Sequence, residues 1–291
     1  MTLPTLLLPL IVAMVLAGAV TTIHRRLPPM LAARTVAVTL GVLAAAAVPT
    51  MLILSLGYLA HIPWLGRGFA WCAETFGVHE RIPTWVGAPA IAFVAVGAIR
   101  TAKVIRTYRL LRHDRPGSVE VAVHENAFAF TLPGRGGRVV WSSGLVELLD
   151  DQEQTVVLAH EQAHARHRHD RYLLVAQCAA ATVPFLRSLT SRLQFSLERW
   201  ADESAVAECG DRELVARTLG KVALHSPQPT AAMGFTGLGV PARVAALLAS
   251  PARQPRMPAQ VILWMAIATT AGFAGLQIHH LATVIVSFCL D

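Results

Sequence analysis

Polar and apolar positions divide this chain into long uncharged runs around one charged middle. Leu3–Ile23, Thr35–Ala60, Ile82–Ile99 and Met257–Ile278 contain no Asp, Glu, Lys or Arg. A helix crosses a bilayer with about 20 apolar residues, so these runs predict four transmembrane helices. The third is short and interrupted by Pro89, and the fourth resumes its apolar character after His279 and His280 up to Leu290. The first reads as either a span or a signal peptide. No Lys or Arg precedes it and it exceeds a typical signal core, which favours the span.

Between the third and fourth runs the periodicity changes. Val119–Val123 alternates, Asn126–Phe130 reads Asn-Ala-Phe-Ala-Phe, Leu132–Gly137 is a turn, and Val139–Trp141 is apolar again. This predicts a small hairpin or sheet. Gly144–Leu149 reads as a short helix. Asp150 or Asp151 caps the next one, with Glu153 in its first turn, and that helix runs through Val156, Val157 and Leu158 toward Arg168. Leu173–Leu186 is uncharged but short for a span and carries Pro184 near its end. It reads as a core helix in preference to a segment dipping into the bilayer edge.

Composition sharpens this picture. Hydrophobic residues make up 54% of the 291 and charged ones only 15%, against roughly 25% charged in a soluble domain. An ordinary soluble enzyme is excluded, and so is disorder. The net charge of +7 invites a nucleic-acid reading, but in a membrane chain it reflects basic loops facing the cytoplasm. Arg25, Arg26 and Arg34 mark the first loop as cytoplasmic, as do the basic segment after the third span and Arg253 and Arg256 before the fourth. Both termini are therefore expected outside. Arg100, Lys103, Arg106, Arg109, Arg112 and Arg115 recur every third residue, as in a voltage sensor. A three-residue step drifts around a 3.6-residue helix, so these charges belong in water or at headgroups. Cys178 and Cys209 fall in the cytoplasmic part and are expected as thiols. Cys72 and Cys289 both fall outside, and nothing in the sequence pairs them.

The charged middle holds the chemistry. His160-Glu161-Gln162-Ala163-His164 is an HExxH motif on a predicted helix. Residues four apart share a face, so both imidazoles reach one metal. Glu161 sits beside them, placed to take a proton from water polarised by that metal. A catalytic zinc needs a third protein ligand. Glu198, in Leu197-Glu-Arg-Trp-Ala-Asp202, is the favoured one, and Asp202, four residues on, would orient a ligand imidazole. His167 and His169 are rival ligands but read as polar-face residues. His225 is a candidate oxyanion stabiliser, yet it reads as a loop histidine before a Pro-rich segment. Cys178 lies in an uncharged run that disfavours a thiolate.

The order Asn126–Phe130, Pro133-Gly134, Val139-Val140, Ser143-Gly144-Leu145, Leu148-Leu149, HExxH and Glu198-x-x-Ala-Asp202 resembles the gluzincin membrane metallopeptidases of the HtpX and CAAX-prenyl-protease type. The layout of three leading spans, a zinc domain and a last span is similar to the BlaR/MecR-type antirepressor peptidases. The chain stops at Asp291, without the penicillin-binding sensor domain that those carry. The resemblance implies one zinc per chain held by His160, His164 and Glu198, with Glu161 as general base. It also implies an edge strand at Asn126, Ala127, Phe128, Ala129 and Phe130 that aligns an extended substrate.

The expected fold is a mainly α membrane protein of about four transmembrane helices with a cytoplasmic α+β zinc-metallopeptidase domain. Residues 1–106 form the N-terminal membrane domain, 107–256 the peptidase domain, and 257–291 the last span and tail. The expected function is a plasma-membrane endopeptidase. Its partners are the bilayer and a protein or peptide substrate, either a regulator such as a transcriptional repressor or a membrane protein; direct nucleic-acid binding is not expected. Quality control of misfolded membrane proteins and a non-catalytic signalling role that keeps the fold are the alternatives.

Overall fold

The computed structural model describes residues 11, 14–22, 24, 27–62, 82–112, 119–134, 136–226, 236–249 and 257–290. Within the first apolar run, residues 14–22 are helical. Helix α1 is Pro29–Leu59, opened by proline at its first position, where a missing N–H costs nothing. Helix α2 is Thr84–Leu111. Among the described residues these two are long and apolar enough to cross a membrane. Their surroundings differ: 56% of the apolar window of α1 is buried within the protein, and only 11% of that of α2. Helix α1 is therefore the central post and α2 a peripheral one.

Strands β1 (Val119–Ala122), β2 (Ala129–Leu132) and β3 (Arg138–Ser142) form one sheet in the order β1-β3-β2. β1 runs parallel to β3, and β2 antiparallel to it. The sheet is thus mixed, and β2 is an edge. The strand expected over Asn126–Phe130 begins three residues later. Ala127 turns inward instead, 4% exposed, to pack with Leu145 and Leu149. The β2–β3 turn ends at Gly137, in the left-handed region (φ +62°), where a Cβ would collide with the Ala165 side chain. This turn therefore rests directly on the helix that bears the HExxH motif.

Helix α3 (Ser143–Leu148) starts from the Ser142 hydroxyl, which accepts from Leu145 N. Helix α4 (Asp151–Arg166) starts with a reciprocal capping box between Asp150 and Glu153, a device that contributes about 1 kcal/mol. After α4 the chain reverses through Arg168, whose φ of 55° is left-handed. Helix α5 (His169–Thr182) and a 3-10 turn at Pro184–Leu186 follow. Helices α6 (Arg187–Cys209), α7 (Arg212–His225), α8 (Thr236–Leu248) and α9 (Met257–Leu290) complete the order.

The largest core joins the apolar run to the motif-bearing part. Val36, Leu40 and Leu43 of α1 pack with Ala176 and Ala179 of α5, Leu189, Leu193 and Leu197 of α6, and Ile267 of α9. The uncharged run Leu173–Leu186 thus forms the rest of α5 and the 3-10 turn; its small residues Ala176 and Ala179 pack with α1, and α5 also packs on α2. Position 198 of α6 follows directly from this core, so the membrane-type helices and the candidate site share one rigid element. Cys178 and Cys209 are free thiols, with burial raising the pKa of each. Cys72 lies outside the described residues.

Candidate metal centre

Helix α4 sets the first two donors. His160 and His164 are one turn apart, and their Nε2 atoms face each other at 3.2 Å. Helix α6 crosses α4 and brings the Glu198 carboxylate between them, with Oε2 3.6 Å from His160 Nε2 and Oε1 3.6 Å from His164 Nε2. One donor atom from each of the three residues lies within 4.8 Å of the others.

The far side of each imidazole is also held. His160 Nδ1 lies 3.1 Å from Asp202 Oδ1, and Asp202 is 3% exposed. Asp202 thus holds the Nδ1 proton, and the Nε2 side of the ring, turned toward Glu198, is the one a bound metal would take in exchange for its proton. His164 Nδ1 lies 3.0 Å from His169 Nδ1. With His164 donating, His169 accepts on Nδ1 and keeps its proton on Nε2, a buried atom without a hydrogen-bond partner. Two imidazoles held by their Nδ1 partners and one carboxylate form an N2O set that suits a divalent metal, zinc above all.

Glu161 points into the same space. Its Oε2 is 2.7 Å from the Thr131 hydroxyl, which also lies 2.9 Å from the Glu161 carbonyl. Strand β2 thereby touches the motif at the residue expected to move a proton. Both line a cavity of about 1090 Å³, together with His160, His164 and Glu198. Ala129 and Phe130 line it too, whereas Asn126, Ala127 and Phe128 do not. The strand residues that face the site are Ala129–Leu132, a shift that follows from the later start of β2.

Arg243 of α8 was not singled out by the sequence. Its Nε donates to Asp202 Oδ2 at 2.8 Å and its Nη2 to Oδ1 at 2.7 Å, while Nη1 lies 2.9 Å from Glu198 Oε2. One guanidinium, 9% exposed, thus holds both carboxylates of the site. The only local signal is a lone arginine in an apolar, acid-free segment.

Electrostatics follow this geometry. Burial opposes the charged form of His160, but Asp202 and Glu198 outweigh it and raise its pKa to about 10. Burial and the neighbouring His160 lower that of His164. Burial alone would raise the pKa values of Glu198 and Asp202; the facing His160 and Arg243, with His164 beside Glu198, hold both below the usual carboxylate range. His169 is lowered to about 3, chiefly by burial and then by His164 and His167, so it is neutral at ordinary pH.

The other sequence candidates do not converge on the three donors. His169, expected on a polar face, is 1% exposed because the Arg168 reversal turns the start of α5 inward against Trp200. His167 stacks on Trp200 at 4.5 Å. His225 ends α7, with Nδ1 2.8 Å from Lys221 O, and does not line the cavity.

Residues 110–197 match the model of peptidase family M48. Over 108 residues the chain is 34% identical to a protein described as "Protease HtpX homolog" from Desulforapulum autotrophicum, a match covering 37% of this chain and 32% of that protein. The chain therefore spans about a third of the length of the curated relative it matches. No solved structure matches the chain significantly. The family match covers the segment that carries HExxH, and with the HtpX homologue and the two apolar helices it supports an HtpX-type, membrane-associated metallopeptidase. The family match ends one residue before Glu198, so the places of Glu198 and Asp202 rest on the sequence pattern and the geometry, and that of Arg243 on geometry alone.

Proposed function

We propose that the chain is a multi-pass, zinc-dependent endopeptidase that cuts a regulator or a membrane protein on the cytoplasmic side of the plasma membrane. One observation carries the reading: the donors of His160, His164 and Glu198 converge beside Glu161 in a cavity walled by an edge strand. His160, His164 and Glu198 would hold the metal. Zinc bound there supplies Lewis-acid polarisation of the scissile carbonyl and of the attacking water.

The remaining steps belong to the chain. Asp202 and His169 fix the two imidazoles so that both Nε2 atoms face inward. Glu161 accepts a proton from the attacking water and delivers it to the leaving amine. Thr131 keeps the Glu161 carboxylate in place. A substrate segment adds to the free edge of β2 as an extended strand, through main-chain hydrogen bonds that favour no particular side chain. Phe130, 44% exposed, stacks on Phe128 at that edge.

Four spans with both termini outside, and a peptidase domain over residues 107–256, complete the proposal. The intact site favours catalysis over a non-catalytic signalling role. The test is a proteomic comparison of cells carrying the native chain and Glu161→Gln. Fragments with new termini that disappear in the variant would name the substrates; identical fragment sets would reject the endopeptidase.

A further inference from the structure

The two halves of α2 differ. The helix is 28 residues long, about 42 Å, against a hydrocarbon layer of about 30 Å. It is uncharged as far as Ile99, and then carries Arg100, Lys103, Arg106 and Arg109 within the same helix. Its charged half thus emerges from the apolar layer in line with the span.

One face of this extension is already committed. Val104, Thr107, Tyr108 and Leu111 line the active-site cavity, and Tyr108 Oη donates to Asp170 Oδ2 at 2.7 Å, fixing the rotation of the helix against α5. These four positions fall within an arc of about 100° on a 3.6-residue helix, and Lys103, Arg106 and Arg109 fall within about 120° on the other side. Ile99 and Leu110, 58% and 71% exposed, join Lys103 and Arg106 at helical spacing on that outward face. Arg100, Lys103, Arg106 and Arg109 are all exposed and make no ion pair among the described residues. A face that passes from Ile99, at the end of the apolar run, to cations spaced along the emerging helix matches a headgroup layer: cations at the phosphates, their side-chain carbon directed back toward the acyl boundary.

We propose that this outward face, formed by Ile99, Lys103, Arg106 and Arg109, binds the anionic headgroups of the bilayer that anchors α2. The proposal rests on α2 spanning the membrane, as in the function proposed above. Continuity with the span favours lipid over an acidic protein partner, because the cations begin at the residue where the apolar run ends. Each cation close to an anionic surface strengthens association roughly fivefold, so three together give a preference that a binding measurement resolves.

The test uses the full chain in mild detergent, offered equal amounts of phosphatidylglycerol and phosphatidylcholine, with bound lipid counted by native mass spectrometry. The expected result is at least a tenfold enrichment of phosphatidylglycerol. Lys103→Gln/Arg106→Gln/Arg109→Gln abolishes it, Lys103→Arg/Arg106→Lys/Arg109→Lys keeps it, and Arg217→Gln on α7 leaves it unchanged. Enrichment in the native chain should also fall in 0.5 M salt, a check independent of whether the triple variant folds. No enrichment in the native chain, or equal enrichment in the triple Gln variant, overturns the proposal; an acidic protein partner would give the first result. Neither readout involves peptide cleavage, so failure here leaves the peptidase reading standing, and failure of that reading leaves the lipid count intact.

Discussion

His169 Nδ1 lies 3.0 Å from His164 Nδ1, and the His169 ring is buried with Trp200 packed against it. A histidine outside the HExxH motif thus sets which nitrogen of a motif histidine is free to bind. His169→Phe keeps a ring in the pocket but removes the acceptor. The expected outcome is a 10- to 100-fold loss of zinc affinity, the usual scale for losing a partner of a ligand imidazole. Competition against a chelator of known affinity measures it, and unchanged affinity would remove His169 from the site.

This contact also shows where sequence reading stops. The HExxH spacing, a cap at Asp150 or Asp151 and the helix that follows were legible because each depends on residues within one or two turns, whereas the reciprocal bond from Glu153 came with the structure. The burial of His169 depends on one left-handed residue, Arg168, and a polar sequence hid that reversal. The start of β2 was misplaced because Ala127 looks like any strand residue until Leu145 and Leu149 pack on it. Arg243 was invisible for another reason: its partner Asp202 is 41 residues away, and nothing near it in sequence is acidic.

Arg243 therefore supplies the second prediction. Arg243→Ala leaves Asp202 buried without its fork of two donors and Glu198 without its cation. Breaking a buried pair this way costs about 3–5 kcal/mol, and the site should lose both thermal stability and metal affinity. Arg243→Lys keeps the charge but cannot bond Asp202 bidentately, so it should fall between the two. Calorimetric melting with and without zinc checks the order; a native-like Arg243→Ala would break the link from α8 to the metal.

The third prediction concerns Glu198, which the family match does not reach. Its carboxylate bridges the two imidazoles at 3.6 Å from each. Glu198→Ala should abolish stoichiometric zinc in the purified chain, as should His160→Ala and His164→Ala. Elemental analysis after dialysis reads this out, and full occupancy in Glu198→Ala would show that another group completes the site.

Topology gives a fourth. If the basic segments after α2 and before α9 lie in the cytoplasm, α9 carries the C-terminus across the bilayer. A reporter fused after Asp291 should then be active only when exported. Activity of a cytoplasm-dependent reporter there would reduce the number of spans and reopen α5, already packed on α1, as a membrane element.

The last prediction separates proton transfer from metal binding. Glu161 follows a donor histidine directly, yet its carboxylate is not one of the three converging groups. It is held instead by Thr131 on β2, at 2.7 Å, and faces the cavity. Such a group can reach a water at the metal without filling a coordination position. Glu161→Gln keeps the size and one oxygen, so Thr131 can still donate to it, but the amide cannot accept a proton. The variant should fold and hold zinc as the native chain does, while proteolysis falls by a factor of roughly 100 or more. Thr131→Val should lose less, because it frees the carboxylate to wander without removing its basicity. Zinc content and cleavage rate measured on the same preparations test this. Loss of zinc in Glu161→Gln would make Glu161 a ligand, and near-native cleavage would place the base elsewhere in the cavity.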